Sequence, residues 1–554
     1  DNIHYGLASH VDECVDFNEE DLIEFMPVKA QENYHDVKVG NDLSKKQESE
    51  IRSVIYEYRD MFTDVPGTVN CGEHSIELIE NSPVKSKPYP IPYSIREALN
   101  KEVDEMLRLG VIRESKSPFA SPTVMVRKKD GSNRVCIDFR KVNRKCIFDP
   151  EPVMKAEDIF AGMGDSKLFV SIDLAKGYWQ IPVKKEDIPK TAFVTPDGHY
   201  EYLKMPFGMV NSGATLIRCL RTGFNALRPV SYQKEDGKVV TVSSREKVDF
   251  YVDDIVVKAK TWEELVAVTR EVLRVLKGLG FTIRPSKCVF GSKSIDFLGK
   301  GVSDGVLTMQ EANVKKILEA LPPTSKKEIR SFLGMVGFYQ SFVPSYASIS
   351  SPLTDATRKN CPNKLVLNEE QLRSFQKLKE VILSKPVLRL PKLEQEFVLR
   401  TDASNRGLGA VLLQEHEGNL FPVAYASKKL NDAERRYSTL EREGLAIVWA
   451  VKKFQMYLYG RPFVLETDHQ PLVNMNKTRY ANNRVSRWCM FLQSFDIRIR
   501  SIKGEDNHFA DFLSRLDPEI KPEEEVESGK ERNGDVSAHL VDTGDLREGG
   551  APRE

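Results

Sequence analysis

The chain has 554 residues, which at roughly 150 residues per domain suggests three to four domains. Hydrophobic residues make up 40% and charged residues 29%, and no apolar run approaches 18 residues, so a wholly disordered, collagen-like or membrane-spanning chain is excluded. Formal net charge is zero, but residues 1–42 and 517–554 are acidic and the body between them is basic, which suits either a polyanionic partner or an ordinary mixed surface.

Taken in chain order, the apolar spacing predicts helices and strands mixed throughout, that is, an α+β protein. Helices are predicted over residues 95–109, 261–279 and 438–459, the last two opening on the capping-box pairs Thr261 with Glu264 and Ser438 with Glu441. Strands are predicted at 123–129, 134–139, 168–174 and 463–466, with a hairpin over 248–257 and a strand–turn–strand over 397–414.

The eight cysteines are scattered and include no C-x-x-C pair. This spacing argues against a structural zinc site or a disulfide framework. We therefore expect free thiols in a reducing compartment.

A first set of acids lies at the ends of predicted strands. Asp173 ends the strand FVSID, and Asp253 and Asp254 lie at the tip of the hairpin FYVDDIVV. An Asp-Asp pair alone is more often an ordinary turn. Acids so closely flanked by apolar strand are costly unless paired or metal-bound, and adjacent strands would bring these together. Clustered carboxylates suit Mg²⁺, two of which can clamp the oxygens of a phosphoryl transfer.

A second set of acids follows a predicted break near residues 386–394. Asp402 ends a strand, Glu443 lies early in the long helix, Asp468 ends another strand, and Asp511 lies in ADFLSR. Each acid alone is more often a helix cap or a surface residue. Because they are far apart in sequence, only the fold could gather them into one site.

Five segments that occur in a fixed order favour catalytic, metal-binding acids over turn, cap or surface residues. They read SPFASPTVMVRKKDGSNRVCIDFRKVN (117–143), FVSIDLAKGYWQIPV (169–183), MPFGMVNSGAT (205–215), FYVDD (250–254), and PSKCVF followed by FLG (285–299). This series closely resembles the reverse transcriptases of Gypsy-type LTR retrotransposons. The later segments TDAS, EREGLAI, TDH and ADFLSR resemble the RNase H domain that follows them. The resemblance spans roughly residues 61–515.

The resemblance implies a right-hand polymerase with fingers, palm and thumb, followed by an RNase H-like α/β domain. The expected boundaries are an acidic leader or linker at 1–42, fingers and palm at 43–300, thumb and connection at 301–390, RNase H at 391–516, and an acidic disordered tail at 517–554.

The resemblance also implies roles for individual residues. The metal-binding catalytic carboxylates of the polymerase are expected to be Asp173, Asp253 and Asp254, and those of the ribonuclease Asp402, Glu443, Asp468 and Asp511. Residues expected to bind the nucleotide are Lys128, Arg134, Tyr178, Phe207 and Gly208, with Tyr178 as the gate against a ribose 2′-hydroxyl. The expected primer grip is Phe297, Leu298 and Gly299.

The implied activity is RNA- and DNA-templated DNA synthesis with hydrolysis of RNA in RNA–DNA hybrids, serving retrotransposon replication. The implied cofactors are Mg²⁺ or Mn²⁺, two per active site. The implied partners are an RNA template, a DNA primer, an RNA–DNA hybrid and dNTPs, with a homodimer allowed and no membrane. By resemblance, the location is a cytoplasmic virus-like particle or the nucleus.

Three departures from the family pattern keep an alternative open. LIR (216–218) stands where an aromatic residue and Gln are expected, and Gly213 stands where Pro is usual. The segment 233–247, just before the predicted hairpin, is longer than the corresponding segment of the family pattern. These favour a catalytically impaired or co-opted nucleic-acid-binding remnant. An RNA-templated RNA polymerase is a third alternative, against which Tyr178 and the attached RNase H pattern argue.

Overall fold

The structure is a computed structural model that describes residues 30–80, 82–127, 133–234, 236–405, 407–467 and 483–502. In it, the apolar strands predicted on either side of the acids form sheets. Helices and strands alternate throughout these residues, which confirms the α+β class. Within these ranges, no helix has the length and apolar character needed to cross a membrane.

The helices of these ranges differ widely in length, and most of the strands are short. The helices are α1 (Lys45–Glu57), α2 (Tyr93–Arg108), α3 (Arg140–Asn143), α4 (Ala156–Ala161), α5 (Ser212–Asn225), α6 (Trp262–Gly278), α7 (Glu311–Leu318), α8 (Lys326–Gly337), α9 (Tyr346–Ala356), α10 (Glu369–Leu383), α11 (Thr439–Lys453), α12 (Gln455–Leu458) and α13 (Asn483–Leu492). The strands are β1 (Lys38–Val39), β2 (Ile112–Glu114), β3 (Ser121–Arg127), β4 (Asn133–Ile137), β5 (Leu168–Asp173), β6 (Phe193–Val194), β7 (His199–Tyr202), β8 (Val230–Gln233), β9 (Val239–Val242), β10 (Val248–Tyr251), β11 (Asp254–Ala259), β12 (Val289–Ser292), β13 (Ser294–Phe297), β14 (Lys300–Ser303), β15 (Val306–Met309), β16 (Leu388–Arg389), β17 (Phe397–Ala403), β18 (Gly407–His416), β19 (Asn419–Lys429), β20 (Phe463–Thr467) and β21 (Ile497–Ser501).

The first set of acids lies on sheet I, whose strand order is β1-β12-β5-β11-β10. Val170 and Ile172 of β5 and Ile255 and Val257 of β11 are buried in one core with residues of α5 and α6. Because side chains alternate along a strand, Phe169, Ser171 and Asp173 emerge on the opposite face of β5. Asp173 therefore lies on the face of β5 opposite the core formed with α5 and α6.

The described residues contain three further sheets of four or five strands and the two-stranded sheet β8-β9. Sheet II has the order β2-β7-β6-β3-β4, and its core includes Leu99, Val103 and Met106 of α2. Sheet III is β13-β14-β15-β16. Sheet IV is β19-β18-β17-β20-β21, and Ile447 and Val451 of α11 pack against its strands β17 and β20.

The two predicted capping boxes differ in outcome. Ser438 and Glu441 form the reciprocal box, with the Ser438 amide donating to Glu441 Oε2 at 3.0 Å. Thr261 does cap α6, since its hydroxyl accepts from the Glu264 amide at 3.3 Å. The Glu264 carboxylate, however, accepts from the Lys260 amide at 2.7 Å, so the prediction of a reciprocal box at α6 is wrong.

Three segments for which the sequence predicts no helix or strand have a defined structure. Within the predicted break, β16 pairs with β15, and Leu388 and the following Leu390 are buried. The long segment 233–247 lies mostly in the β8–β9 hairpin and a following helical turn, Ser244–Lys247. Residues 30–42, the end of the predicted leader, include β1, which pairs with β12 of sheet I. The predicted domain boundaries themselves stay predictions.

Two of the cysteines expected to be free thiols lie side by side. Cys71 and Cys219 have Cα atoms 5.6 Å apart, a separation that a disulfide would allow. They are separated by 148 residues in the chain, so their meeting depends on the tertiary fold and leaves no local sequence signal.

Candidate active sites

The first site is built where β5 and β11 run antiparallel as neighbours. Their register places Asp173 directly opposite Asp254. Tyr251 pairs with Asp254 across the β10–β11 hairpin, which leaves Val252 and Asp253 as its two-residue turn. Val252 has a φ of 59°, a left-handed conformation that costs a β-branched residue of order 1 kcal/mol or more. The structure therefore brings Asp173, Asp253 and Asp254 together, at a strained turn.

Burial and mutual repulsion dominate the electrostatics of these acids. Burial, followed by the charges of Asp253 and Asp173, raises the pKa of Asp254 to about 6. Burial also raises the pKa of Asp173, and Lys287 opposes this, since its Nζ lies 3.1 Å from Asp173 Oδ2. The donor set is carboxylate oxygen, which suits hard divalent cations. In this state, no three Asp, Glu, His or Cys side chains of the described ranges stand close enough to surround an ion.

Residues 284–288, which we call the palm turn, hold Asp173 at three points. The Arg284 amide donates to the Asp173 carbonyl oxygen at 2.9 Å, and the Asp173 amide donates to Cys288 Sγ at 3.4 Å. The third contact is the Lys287 ion pair. Nothing in the sequence indicates the two contacts that involve the Asp173 backbone.

The predicted nucleotide gate lies beside the hairpin turn. Tyr178 is half-buried in the helical turn Gly177–Gln180, and its ring centroid lies 4.9 Å from that of Phe207. Burial and then the Asp253 charge raise the pKa of Tyr178. Gly208 has a φ of 89°, and its carbonyl accepts from Asn143 Nδ2 at 2.8 Å. Tyr178 thus lies near Asp253 with Phe207 packed on its ring, and the role of Tyr178, Phe207 and Gly208 in nucleotide binding stays a prediction.

The predicted phosphate-binding residues are only partly described. Lys128 lies outside the described residues. Arg134 lies on β4, where its backbone pairs with Val126 of β3, and its side chain is not described. Their role stays a prediction.

The predicted primer grip is a tight hairpin turn. Phe297 pairs with Lys300, and Leu298 and Gly299 between them have φ values of 46° and 73°. Tyr339 fixes the turn, since its hydroxyl donates to the Gly299 carbonyl at 2.7 Å. Phe297 is only 3% exposed, so any contact with a duplex must come from the turn rather than from this ring.

The second site is described in part. Asp402 and Glu443 are each 7% exposed, Asp402 on β17 and Glu443 on α11, the helix that packs against β17. β17 is parallel to β20, which ends at Thr467. Asp468 and Asp511 lie outside the described residues. The structure therefore places two of the four predicted acids on adjoining elements.

The departures from the family pattern fall in the core and in a hairpin. Leu216 and Ile217 are buried on α5, at 0% and 3% exposure. A Cβ at Gly213 would lie 3.7 Å from the Tyr178 hydroxyl, an ordinary contact. Lys247, at the end of the long segment, forms an ion pair with Glu264 at 2.9 Å.

Comparison with known families gives two matches. The reverse transcriptase (RNA-dependent DNA polymerase) family matches residues 126–302, and the RNase H-like domain found in reverse transcriptase matches residues 392–495. These ranges contain the first acids and Asp402, Glu443 and Asp468.

Curated relatives extend the similarity over most of the chain. The chain is 39% identical over 481 residues to the retrovirus-related Pol polyprotein from transposon 297 of Drosophila melanogaster, covering 85% of this chain and 43% of that protein. It is 31% identical over 507 residues to the transposon Tf2-3 polyprotein of Schizosaccharomyces pombe, covering 89% and 37%. The chain thus spans less than half the length of these relatives.

Solved structures share the fold at low identity. A foamy viral protease-reverse transcriptase in complex with double-stranded DNA matches with a TM-score of 0.75 and 20% identity, over 86% of this chain and 83% of that one. A foamy viral protease-reverse transcriptase in complex with RNA/DNA hybrid matches with a TM-score of 0.70 and 20% identity, over 89% and 64%. The right-hand polymerase fold with an RNase H-like domain is thereby confirmed.

Proposed function

The chain belongs to the reverse transcriptase and RNase H region of Gypsy-type LTR retrotransposon Pol polyproteins, and from this we propose that it is an RNA- and DNA-templated DNA polymerase with ribonuclease H activity. The observation that carries the proposal is the register of β5 and β11, which sets Asp173 opposite Asp254 with Asp253 in the adjoining turn. That arrangement suits phosphoryl transfer at the primer 3′-hydroxyl.

The polymerase site would hold two Mg²⁺ or Mn²⁺ ions through Asp173, Asp253 and Asp254. The chemistry that such ions supply is activation of the attacking oxygen and stabilisation of the leaving oxygen. Lys287 balances the charge of Asp173 in the described state through a contact with Oδ2 alone, which would leave Oδ1 to bind an ion.

The protein's own groups select and orient the nucleotide. Tyr178, packed on Phe207, would exclude a ribose 2′-hydroxyl by filling the space beside the sugar. Lys128 and Arg134 would bind the triphosphate, because lysine offers a point charge and arginine a planar bidentate donor. The turn at Leu298 and Gly299 would contact the primer backbone.

The ribonuclease site would use Asp402, Glu443, Asp468 and Asp511 to hold two further divalent ions, with water replacing the 3′-hydroxyl. A hybrid duplex is recognised by shape, phosphates and 2′-hydroxyls. The foamy viral structures hold double-stranded DNA and an RNA/DNA hybrid, which supports such duplexes as partners of this chain. That dNTPs are its substrates stays part of the proposal. Homodimer formation stays a prediction.

The alternative, an impaired or co-opted nucleic-acid-binding remnant, rests on the altered segment and the long insertion. Burial of Leu216 and Ile217 in the core argues that these substitutions preserve packing. The separate β8–β9 hairpin argues that the insertion need not displace the catalytic turn. Both observations favour the active enzyme.

We further propose that the chain acts in cytoplasmic virus-like particles or in the nucleus, where retrotransposon replication takes place. Fractionation of cells that produce the chain, with immunodetection, tests this. Accumulation confined to any other compartment would contradict it.

The activity itself is tested with one hybrid substrate. The full chain is incubated with a labelled DNA primer on a differently labelled RNA template, with Mg²⁺ and dNTPs. Primer extension together with template fragmentation is expected. Duplex binding without either product would contradict the proposal and favour the co-opted binder.

A further inference from the structure

The predicted leader ends in a segment that reaches the polymerase site. Residues 31–40, which we call the N-terminal strap, lie along the palm turn and β12. The strap's β1 pairs in parallel with β12, and its Val37 is 3% exposed within the core of sheet I. An acidic linker without a structural role would not bury an apolar side chain there.

Glu32 is the strap residue that binds the palm turn. Its Oε1 accepts from Arg284 Nη2 at 3.1 Å and Nε at 3.2 Å, and its Oε2 accepts from the Ser286 amide at 3.1 Å. Burial alone would raise the pKa of Glu32, but the hydrogen bonds from Ser286 and Arg284 hold it below its ordinary value. One carboxylate thus binds both a side chain and the backbone of the turn.

The strap itself is fixed on both sides of Glu32. The Asp64 carboxylate accepts from the amides of Gln31 at 2.9 Å and Glu32 at 3.2 Å. Further along, the Gly40 amide donates to the Phe290 carbonyl at 2.9 Å. A Cβ at Gly40 would collide with the Gly291 carbonyl oxygen, so this close approach requires glycine. Glu32 is therefore presented to the turn from a rigid support.

The palm turn connects Glu32 to β5, the strand that ends at Asp173. Arg284, whose side chain Glu32 binds, donates its own amide to the Asp173 carbonyl at 2.9 Å. Lys287, one residue beyond the Ser286 amide that Glu32 binds, contacts Asp173 Oδ2 at 3.1 Å. Two successive contacts thus connect Glu32 to Asp173.

We infer that Glu32 is a positioning residue of the polymerase site, which sets the place of Asp173 and Lys287 through the palm turn. The catalytic consequence rests on the proposed function, whereas the mechanical connection does not. Loss of charged hydrogen bonds at this position should loosen the turn without unfolding sheet I. A misplacement of about 1 Å at a catalytic group can lower the rate by about a hundredfold.

The experiment compares Glu32→Ala and Glu32→Gln in the full chain with a matched control, Glu57→Gln. Glu57 also pairs with an arginine at 3.1 Å, but that partner, Arg270, lies on α6 and not on the palm turn. In Glu32→Gln the side-chain oxygen can still accept a hydrogen bond from the Ser286 amide. Its effects on hydrogen exchange and on nucleotide addition should therefore be smaller than those of Glu32→Ala.

The first readout is hydrogen exchange, which does not depend on activity. Glu32→Ala should speed exchange about tenfold in peptides covering residues 168–176 and 282–290, and the control should not. The second readout is single-nucleotide addition. Glu32→Ala should lower kcat about tenfold with KM for dNTP within about twofold, because Asp173 acts on the reacting oxygens and not on the base.

The outcomes separate this inference from the proposed function. If the wild-type chain extends primers and neither readout changes in the Glu32 variants, the inference is overturned and the function stands. Faster exchange with unchanged kcat also overturns it, as does an equal effect of Glu57→Gln. If the wild-type chain extends no primer, the proposed function fails, and exchange alone decides whether Glu32 restrains the turn.

Discussion

Tyr178 is the single residue whose surroundings bear most directly on sugar selection. Its ring lies against Phe207 and next to the charge of Asp253. Tyr178→Ala would open the space beside the sugar, so ribonucleotide incorporation should rise by a factor on the order of ten to a hundred relative to dNTP. The measurement is the ratio of kcat/KM for dNTP and rNTP. Tyr178→Phe keeps the ring and is the control, and an unchanged ratio in Tyr178→Ala would refute the gate.

His74 is a buried residue that makes stability depend on pH. It is 1% exposed, its Nδ1 lies 2.9 Å from the Thr215 hydroxyl, and burial lowers its pKa from 6.5 to about 4, although Asp187 and Asp149 oppose this. Because the pKa of His74 is lower in the folded chain than in the unfolded chain, the unfolded chain binds more protons between pH 6.5 and pH 4. The contribution of neutral His74 to the free energy of unfolding is therefore complete above pH 6.5 and is lost as the pH falls towards 4. The difference corresponds to about 3 kcal/mol.

His74→Asn should remove most of this pH dependence. Asparagine can replace Nδ1 in the hydrogen bond to Thr215 but does not titrate. Between pH 7 and pH 4, the urea unfolding midpoint of the wild-type chain should therefore fall more steeply than that of His74→Asn. Parallel curves over this range would show that His74 is not the titrating group.

At the scale of elements, the β8–β9 hairpin is predicted to be dispensable. The hydrogen bonds between its strands pair residues 230–233 with 239–242, and the sheet has only these two strands. Val230 and Val242 at its base pack on the core of sheet I and should be kept. Replacing residues 231–241 with Asn-Gly leaves a two-residue turn between them.

The shortened chain should keep its rate of nucleotide addition within about twofold, because the contacts next to β10 remain. These are the Lys247–Glu264 ion pair and the bond from the Ser244 hydroxyl to the Arg228 carbonyl at 2.6 Å. Single-nucleotide kinetics beside the unmodified chain provide the measurement. A loss of about a hundredfold would mean that the hairpin positions Asp253.

Strong periodicity makes the longer elements predictable. The predicted helix at 95–109 is α2 at Tyr93–Arg108, and the predicted hairpin at 248–257 is β10–β11. Short strands carry no such signal, because β1 and β16 have two residues each and form only where a neighbouring strand offers its edge. Their pairing is a tertiary effect that local sequence does not record.

At the scale of the whole molecule, the clustering of Asp173, Asp253 and Asp254 could be predicted, but the structure that holds them could not. Asp173 and Asp253 stand out because acids seldom interrupt apolar strands. Glu32 and Arg284 are 252 residues apart, and neither belongs to a recognisable pattern. They meet because the tertiary fold brings the strap to the palm turn, where β1 pairs with β12.

Under the proposed function, one chain carries two separate carboxylate sites, one for synthesis and one for hydrolysis. The most direct measurement assays Asp253→Asn and Glu443→Gln on the doubly labelled hybrid substrate. Asp253→Asn should lower primer extension at least about a hundredfold and leave template cleavage intact, and Glu443→Gln should do the reverse. If either substitution removed both activities from a folded chain, the assignment of two separate sites would be wrong.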